Sequence, residues 1–220
     1  MNKSVILMHS GGINSSYLLH ALTRKDSDLR DARFIIVHID ESKGKIINYI
    51  RKQVNLLKLK NPRLNISIIA YPNIVNGKID FKSEGNMKII ANILEDNISN
   101  WITIDNDNIN YIYFGSDEST ILFNDLTNNM PILSNIKLVY PIGLKYGQSL
   151  YTLIKLATEF ATCTTECKHS EFQWCGKCDE CKKYKDTLFK FAKSPEISEE
   201  DIFKINKLNT VYDNSTNIEE

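Results

Sequence analysis

Two groups of residues in this chain have the types and spacing to do chemistry. The first is Ser10-Gly11-Gly12-Ile13-Asn14-Ser15-Ser16, which follows a short apolar run, Ser4–Met8, and opens a helical pattern carried by Tyr17, Leu18, Ala21 and Leu22. Two glycines let the backbone approach an anion, the N-terminal amides of the helix point outward, and the hydroxyls of Ser10, Ser15 and Ser16 add donors. That is a cradle for phosphate. It lacks the Gly-Lys-Ser/Thr ending of the Walker pattern and the spacing of the dinucleotide fingerprint. A glycine-serine turn before a helix can also be an ordinary N-cap. Its place directly after the first buried strand favours the ligand-binding reading.

The second group is Cys167-x7-Cys175-x2-Cys178-x2-Cys181, four of the five cysteines. The last three are spaced so that a turn and a helix start aim three thiolates at one point, and Cys167 can close a tetrahedron from the preceding loop. Four thiolates leave no open coordination position, so the expected zinc ion is structural. An iron–sulfur cluster shares the C-x2-C-x2-C spacing, His169 could replace one thiolate, and Cys163 is left over as a small hydrophobe.

The elements that must position these groups alternate. Strands are expected at 4–8, 34–39, 65–70, 110–115 and 137–140, and helices after the glycine turn and at 46–59, 87–94, 149–160 and 182–192. The run FIIVHI at 34–39 has no polar face, as in a strand covered on both sides. This predicts an α/β fold with a doubly wound parallel sheet and a small C-terminal zinc-binding helical subdomain. The expected divisions are a nucleotide-binding domain at 1–162, a four-cysteine segment at 163–193, and an acidic helix and tail at 194–220, whose residues 209–220 offer little to bury.

With 220 residues, 42% of them hydrophobic and 25% charged, the chain is of ordinary globular composition. The absence of a long apolar run and of a secretory pattern leads us to expect a cytoplasmic protein that does not enter membranes. The 27 basic and 27 acidic side chains cancel, which argues against nucleic acid as a partner. The acids concentrate at the end, so residues 1–193 hold 25 basic and 20 acidic side chains. That balance suits a small polyanion.

The order of SGG-x-x-S-S after the first strand, Gly115-Ser116-Asp117 after the fourth, Pro141 before a helix, and the terminal C-x7-C-x2-C-x2-C resembles the 7-cyano-7-deazaguanine synthase (QueC) family of PP-loop ATP pyrophosphatases, across the chain to about Ala192. The resemblance implies an adenine nucleotide alpha hydrolase-like fold and an ATP-dependent carbon–nitrogen ligase. Such an enzyme adenylates the carboxylate of 7-carboxy-7-deazaguanine, releases pyrophosphate, and lets ammonia displace AMP to give an amide and then a nitrile. It implies ATP with Mg2+ as co-substrate, with Ser10, Gly11, Gly12, Ser15 and Ser16 on the pyrophosphate. Asn14 would orient the loop, Asp117 would assist magnesium or substrate, and Lys145 would neutralise phosphate charge. Family members carry Asp where this chain has Asn14, and a lysine where it has Gly147. A QueC-like protein of antiviral defence, joining a deazaguanine to a protein amine, is an alternative. So are a nucleotide-binding scaffold without turnover and a zinc-module nucleic-acid binder using Lys182, Lys183 and Lys185. A homodimer stays open.

Overall fold

The computed structural model describes residues 3–40, 45–72, 83–105, 108–140, 145–163, 177–194 and 197–216. Five strands, β1 (Lys3–Met8), β2 (Arg33–Asp40), β3 (Ile66–Pro72), β4 (Asn108–Tyr113) and β5 (Lys137–Val139), form one sheet in the order β3-β2-β1-β4-β5. Every pairing is parallel. β1 lies at the centre, with Val5 opposite Phe34 on one side and opposite Tyr111 on the other; its pairing with β4 shifts register between Ser4 and Val5.

Alternate residues of each strand feed two separate cores, which is why the strand sequences read as unbroken apolar runs. Val5, Leu7, Phe34, Ile36 and Ile66 face one layer. It contains α1 (Ile13–Leu22), α2 (Lys45–Lys60), α5 (Tyr146–Leu156), α6 (Thr158–Cys163), α7 (Asp179–Ala192) and α8 (Glu199–Thr216). Ile6, Met8, Ile35, Val37 and Ile39 face the other, beneath α3 (Glu84–Asp105) and α4 (Asp117–Thr127). The fold is therefore α/β and doubly wound, as the alternation predicts. In the second layer the Glu95 carboxylate of α3 accepts the amides of Ile132 and Leu133 at 2.7 and 2.8 Å, fixing the turn that leads into β5.

The structure departs from the expected elements in four places. The helix expected at 87–94 extends over 84–105, and α4 has no counterpart among the expected helices. The helix expected at 149–160 is two helices, because Ala157 leaves helical geometry (φ −157°, ψ 62°) between α5 and α6. The helix expected in the acidic segment runs to Thr216, into the stretch expected to offer little to bury, and its Ile205 and Leu208 are buried in the first core together with Cys181, Tyr184 and Leu188 of α7. Ser198 caps the start of α8: its Oγ accepts the Asp201 amide at 3.2 Å and donates to the Asp201 carboxylate at 2.9 Å. Lys155 of α5 and Lys204 pair with the same buried carboxylate, which ties α8 to α5. Among the described residues no helix is long and apolar enough to cross a membrane.

Candidate functional site

In an open parallel sheet, ligands bind outside the carboxyl ends of the strands where the winding reverses. Here that point lies between β1, whose connection runs through α1 toward β2, and β4, whose connection runs through α4 toward β5. A cavity of about 210 Å³ opens there, between Met8, His9, Ser10, Gly12, Asn14 and Ser15 on one side and Phe114, Gly115 and Ser116 on the other, with Val37 and Ile39 of β2 behind. It has an apolar wall of Met8, Val37, Ile39 and Phe114. Its opposite rim is built from serine hydroxyls and the starts of two helices.

The turn after β1 is shaped from beneath. The His9 amide continues the ladder to Val37 O at 2.9 Å, and its carbonyl, which has left the ladder, receives His38 Nδ1 at 2.8 Å. The His9 ring then turns back, and its Nδ1 accepts the Gly11 amide at 3.0 Å. Gly11 takes φ +85°, a conformation that only glycine adopts without strain, and a Cβ there would lie 2.3 Å from Ile46 Cγ2 of α2. Gly12 is the N-cap of α1, and its amide is held by Ser10 Oγ at 3.3 Å.

The Gly12 carbonyl collects the next two hydroxyls, from Ser15 at 3.0 Å and Ser16 at 2.8 Å. Ser16 is fully buried and also accepts Gln53 Nε2 of α2 at 2.9 Å, so it braces α1 from inside rather than lining the cavity. On the other rim, Asn14 Nδ2 donates to Gly115 O at 3.1 Å. A Cβ on Gly115 would lie 3.3 Å from both Asn14 Cβ and the Ser15 amide nitrogen, so glycine permits this close approach of the two loops. Ser116 O then accepts both the amide and the hydroxyl of Thr120 in the first turn of α4.

No Lys, Arg, Asp or Glu lines the cavity among the described residues. Its one imidazole, His9, is neutral: burial, and secondarily the neighbouring His38, pull its pKa from 6.5 to about 3, with Gln53 opposing. The favourable field for an anion comes instead from backbone. α1 has no acidic residue in its first turn and its N-cap makes no side-chain bond, so the partial positive charge of its N-terminal end is not offset there.

Of the residues singled out in the sequence, Ser10, Gly12, Asn14 and Ser15 meet at the cavity, with Gly11 forming the turn behind them. Asp117 begins α4 directly after Ser116. Lys145 is the N-cap of α5 and is not among the lining residues. A Cβ at position 147 would meet Thr187 and Phe191 of α7 at 3.8 Å, so that position faces α7. Cys178 is the N-cap of α7 and Cys181 lies in its first turn. Cys167, Cys175 and His169 lie outside the described residues. His9, His38, Gln53 and Phe114 were not singled out, although each histidine follows an apolar stretch in which a lone polar group needs a partner.

No protein-family model matches the chain, and no curated protein matches its sequence. Among solved structures it is similar to the U34-tRNA thiolase NcsA from Methanococcus maripaludis with its 4Fe–4S cluster. The likeness is 12% in sequence with a TM-score of 0.45, spanning 96% of this chain and 72% of that one.

Proposed function

We propose that the cavity between β1 and β4 binds ATP and that the chain is an ATP-dependent ligase of PP-loop type, activating a carboxylate for attack by an amine. The observation that carries this reading is the placement of the Ser10–Ser15 turn and the start of α1 against an apolar wall at the switch point. A base and ribose fit against Met8, Val37, Ile39 and Phe114. The phosphates then meet Ser10 Oγ and the first-turn amides of α1, donors that stabilise pyrophosphate as it leaves. Attack of the carboxylate oxygen on the α phosphorus breaks the α–β bridge and gives an acyl adenylate. An amine then displaces AMP, leaving an amide. Magnesium, held with help from Asp117 at the start of α4, would neutralise the phosphate charge that no described lining side chain offsets. Lys145 reaches this charge only if the substrate extends toward α5.

The substrate class follows from the resemblance of the glycine-serine motif and the four cysteines to deazaguanine nitrile synthases. We take 7-carboxy-7-deazaguanine as the carboxylate, and ammonia or a protein amine, as in a defence-system relative, as the acceptor. Cys178 and Cys181 are three residues apart at the start of one helix, a spacing that suits two ligands of a structural zinc; Cys167 and Cys175 would complete it.

Incubation with ATP, Mg2+, 7-carboxy-7-deazaguanine and ammonia tests the activity. AMP and pyrophosphate are expected, and formation of ADP would overturn the cut between α and β. The uncharged lining, and the inward turn of the Ser15 and Ser16 hydroxyls onto Gly12 O, favour a second reading as a nucleotide-binding scaffold. ATP binding without AMP release, with ammonia or a peptide amine, decides for it.

A further inference from the structure

His9 takes no part in the chemistry proposed above, yet it is 2% exposed and bonded on three sides at the turn. Its peptide is gripped by β2 through Val37 O on the amide and His38 Nδ1 on the carbonyl. This is where β1 leaves the ladder, so without His38 a buried carbonyl would lose its partner. The side chain then takes over as acceptor for the Gly11 amide, and the same Nδ1 lies 3.4 Å from Ser15 Oγ, which bonds Gly12 O. The left-handed residue and the cavity-lining serine thus converge on one ring nitrogen, and the serine in turn holds the helix cap.

We propose that His9 is a positioning residue for phosphate: by accepting the Gly11 amide it holds the turn in its left-handed form and so sets the affinity of the cradle. The inference rests on reading the cavity as a phosphate site. Hydrogen-bond chemistry defines the tautomers. An amide can only donate, so His9 Nδ1 is unprotonated and its proton sits on Nε2, a buried atom without a hydrogen-bond partner among the described residues. A carbonyl can only accept, so His38 carries its proton on Nδ1. Neutral His9, accepting at Nδ1, and His38, donating from Nδ1, together build the turn. Behind the turn, Gln53 of α2 donates to Ser16 of α1. A protonated His9 could not accept the Gly11 amide, and burial beside His38 keeps it neutral.

The role demands an acceptor two residues before Gly11, not an imidazole as such. Asparagine can supply one, because its side-chain oxygen takes the amide two residues on in an Asx turn. The test compares native protein, His9→Asn and His9→Leu by titrating inorganic pyrophosphate while following the amide signals of Gly11 to Ser15, with melting curves alongside. His9→Leu should bind pyrophosphate about tenfold more weakly, the loss expected when a buried donor is left unpaired. His9→Asn should stay within about threefold of native. Nitrogen spectra of the native protein should show His9 Nδ1 unprotonated and the Gly11 amide slower to exchange than the Gly12 amide. Equal affinity in folded His9→Leu, a protonated Nδ1, or a folded His9→Asn as weak as the leucine variant is predicted to be overturns the role. If His9→Leu does not fold, native-like binding by His9→Asn sustains it. Native protein that binds no pyrophosphate removes the phosphate reading itself, before the variants are compared.

Discussion

The side-chain amide of Asn14 donates to the carbonyl of Gly115 at 3.1 Å, joining the two loops that part at the switch point. Asparagine is needed for this bond, because an aspartate has no donor and would set a carboxylate against the carbonyl. Position 14 thus ties the glycine-serine turn to the loop after β4. Asn14→Asp should lower stability by about 1–2 kcal/mol in the absence of divalent cation. Thermal melts should fall by a few degrees and recover in part when Mg2+ and ATP are added, while Asn14→Ala should fall similarly and not recover. Melting of the aspartate variant at the native temperature without cation would show that the Gly115 contact contributes nothing.

Gly11 has two separable reasons to be glycine. Its φ of +85° strains any side chain, and a Cβ would overlap Ile46 Cγ2. Gly11→Ala should destabilise by about 1–3 kcal/mol. Ile46→Ala in the same protein should return the steric part and leave the backbone part. Chemical denaturation of the single and double variants reads both, and a double variant no better than Gly11→Ala would mean that the turn shifts instead of colliding.

Acid should weaken the fold through His9. Its pKa is about 3 when folded and 6.5 when unfolded, so between these values the unfolded chain binds a proton that the folded chain refuses. Stability contributed by neutral His9 is therefore complete above pH 6.5. It falls as pH drops toward 3, by about 1.4 kcal/mol per unit at most. Denaturation midpoints across that range should slope less in His9→Asn than in native protein; identical slopes would assign the acid sensitivity to other groups.

The cysteines separate structure from chemistry. Cys181 is fully buried beside Tyr184 and Leu188, whereas Cys178 is half-buried at the helix cap. Metal analysis of purified protein should give about one zinc per chain, falling in Cys178→Ser with a loss of thermal stability. Iron with sulfide in place of zinc would redirect the assignment to a cluster.

The strands were legible because burial on both faces writes itself as an apolar run, FIIVHI being the plainest case. α4 was not, because Phe123 is its one fully buried large apolar residue while Ile121 is 63% exposed, which blurs the period. The anion turn could be read from Ser10 to Ser16 because its geometry is local. The opposite rim enters the sequence reading only through the resemblance that Gly115-Ser116-Asp117 helps to carry: Gly115 and Ser116 become lining residues through the pairing of β1 with β4, a contact between segments about a hundred residues apart. The sequence likewise singled out Ser16 for its hydroxyl, but which way a hydroxyl faces depends on Gln53 of another helix. Lys145 and position 147 were placed by spacing after Pro141, and the start of α5 at Tyr146 sets where each sits.

Val5 of β1 and Leu208 of α8 belong to one hydrophobic cluster. During synthesis at about 5–20 residues per second, the first strand therefore emerges long before the last helix of the core it shares. For most of that interval that core has only part of its shell, and the nascent chain must be shielded or remain unfolded. Release of a chain shortened before α8 would leave open the apolar faces of α5 and α7 that it packs against. Such a product should be recovered in aggregates or bound to chaperones even though every residue of the anion turn is present.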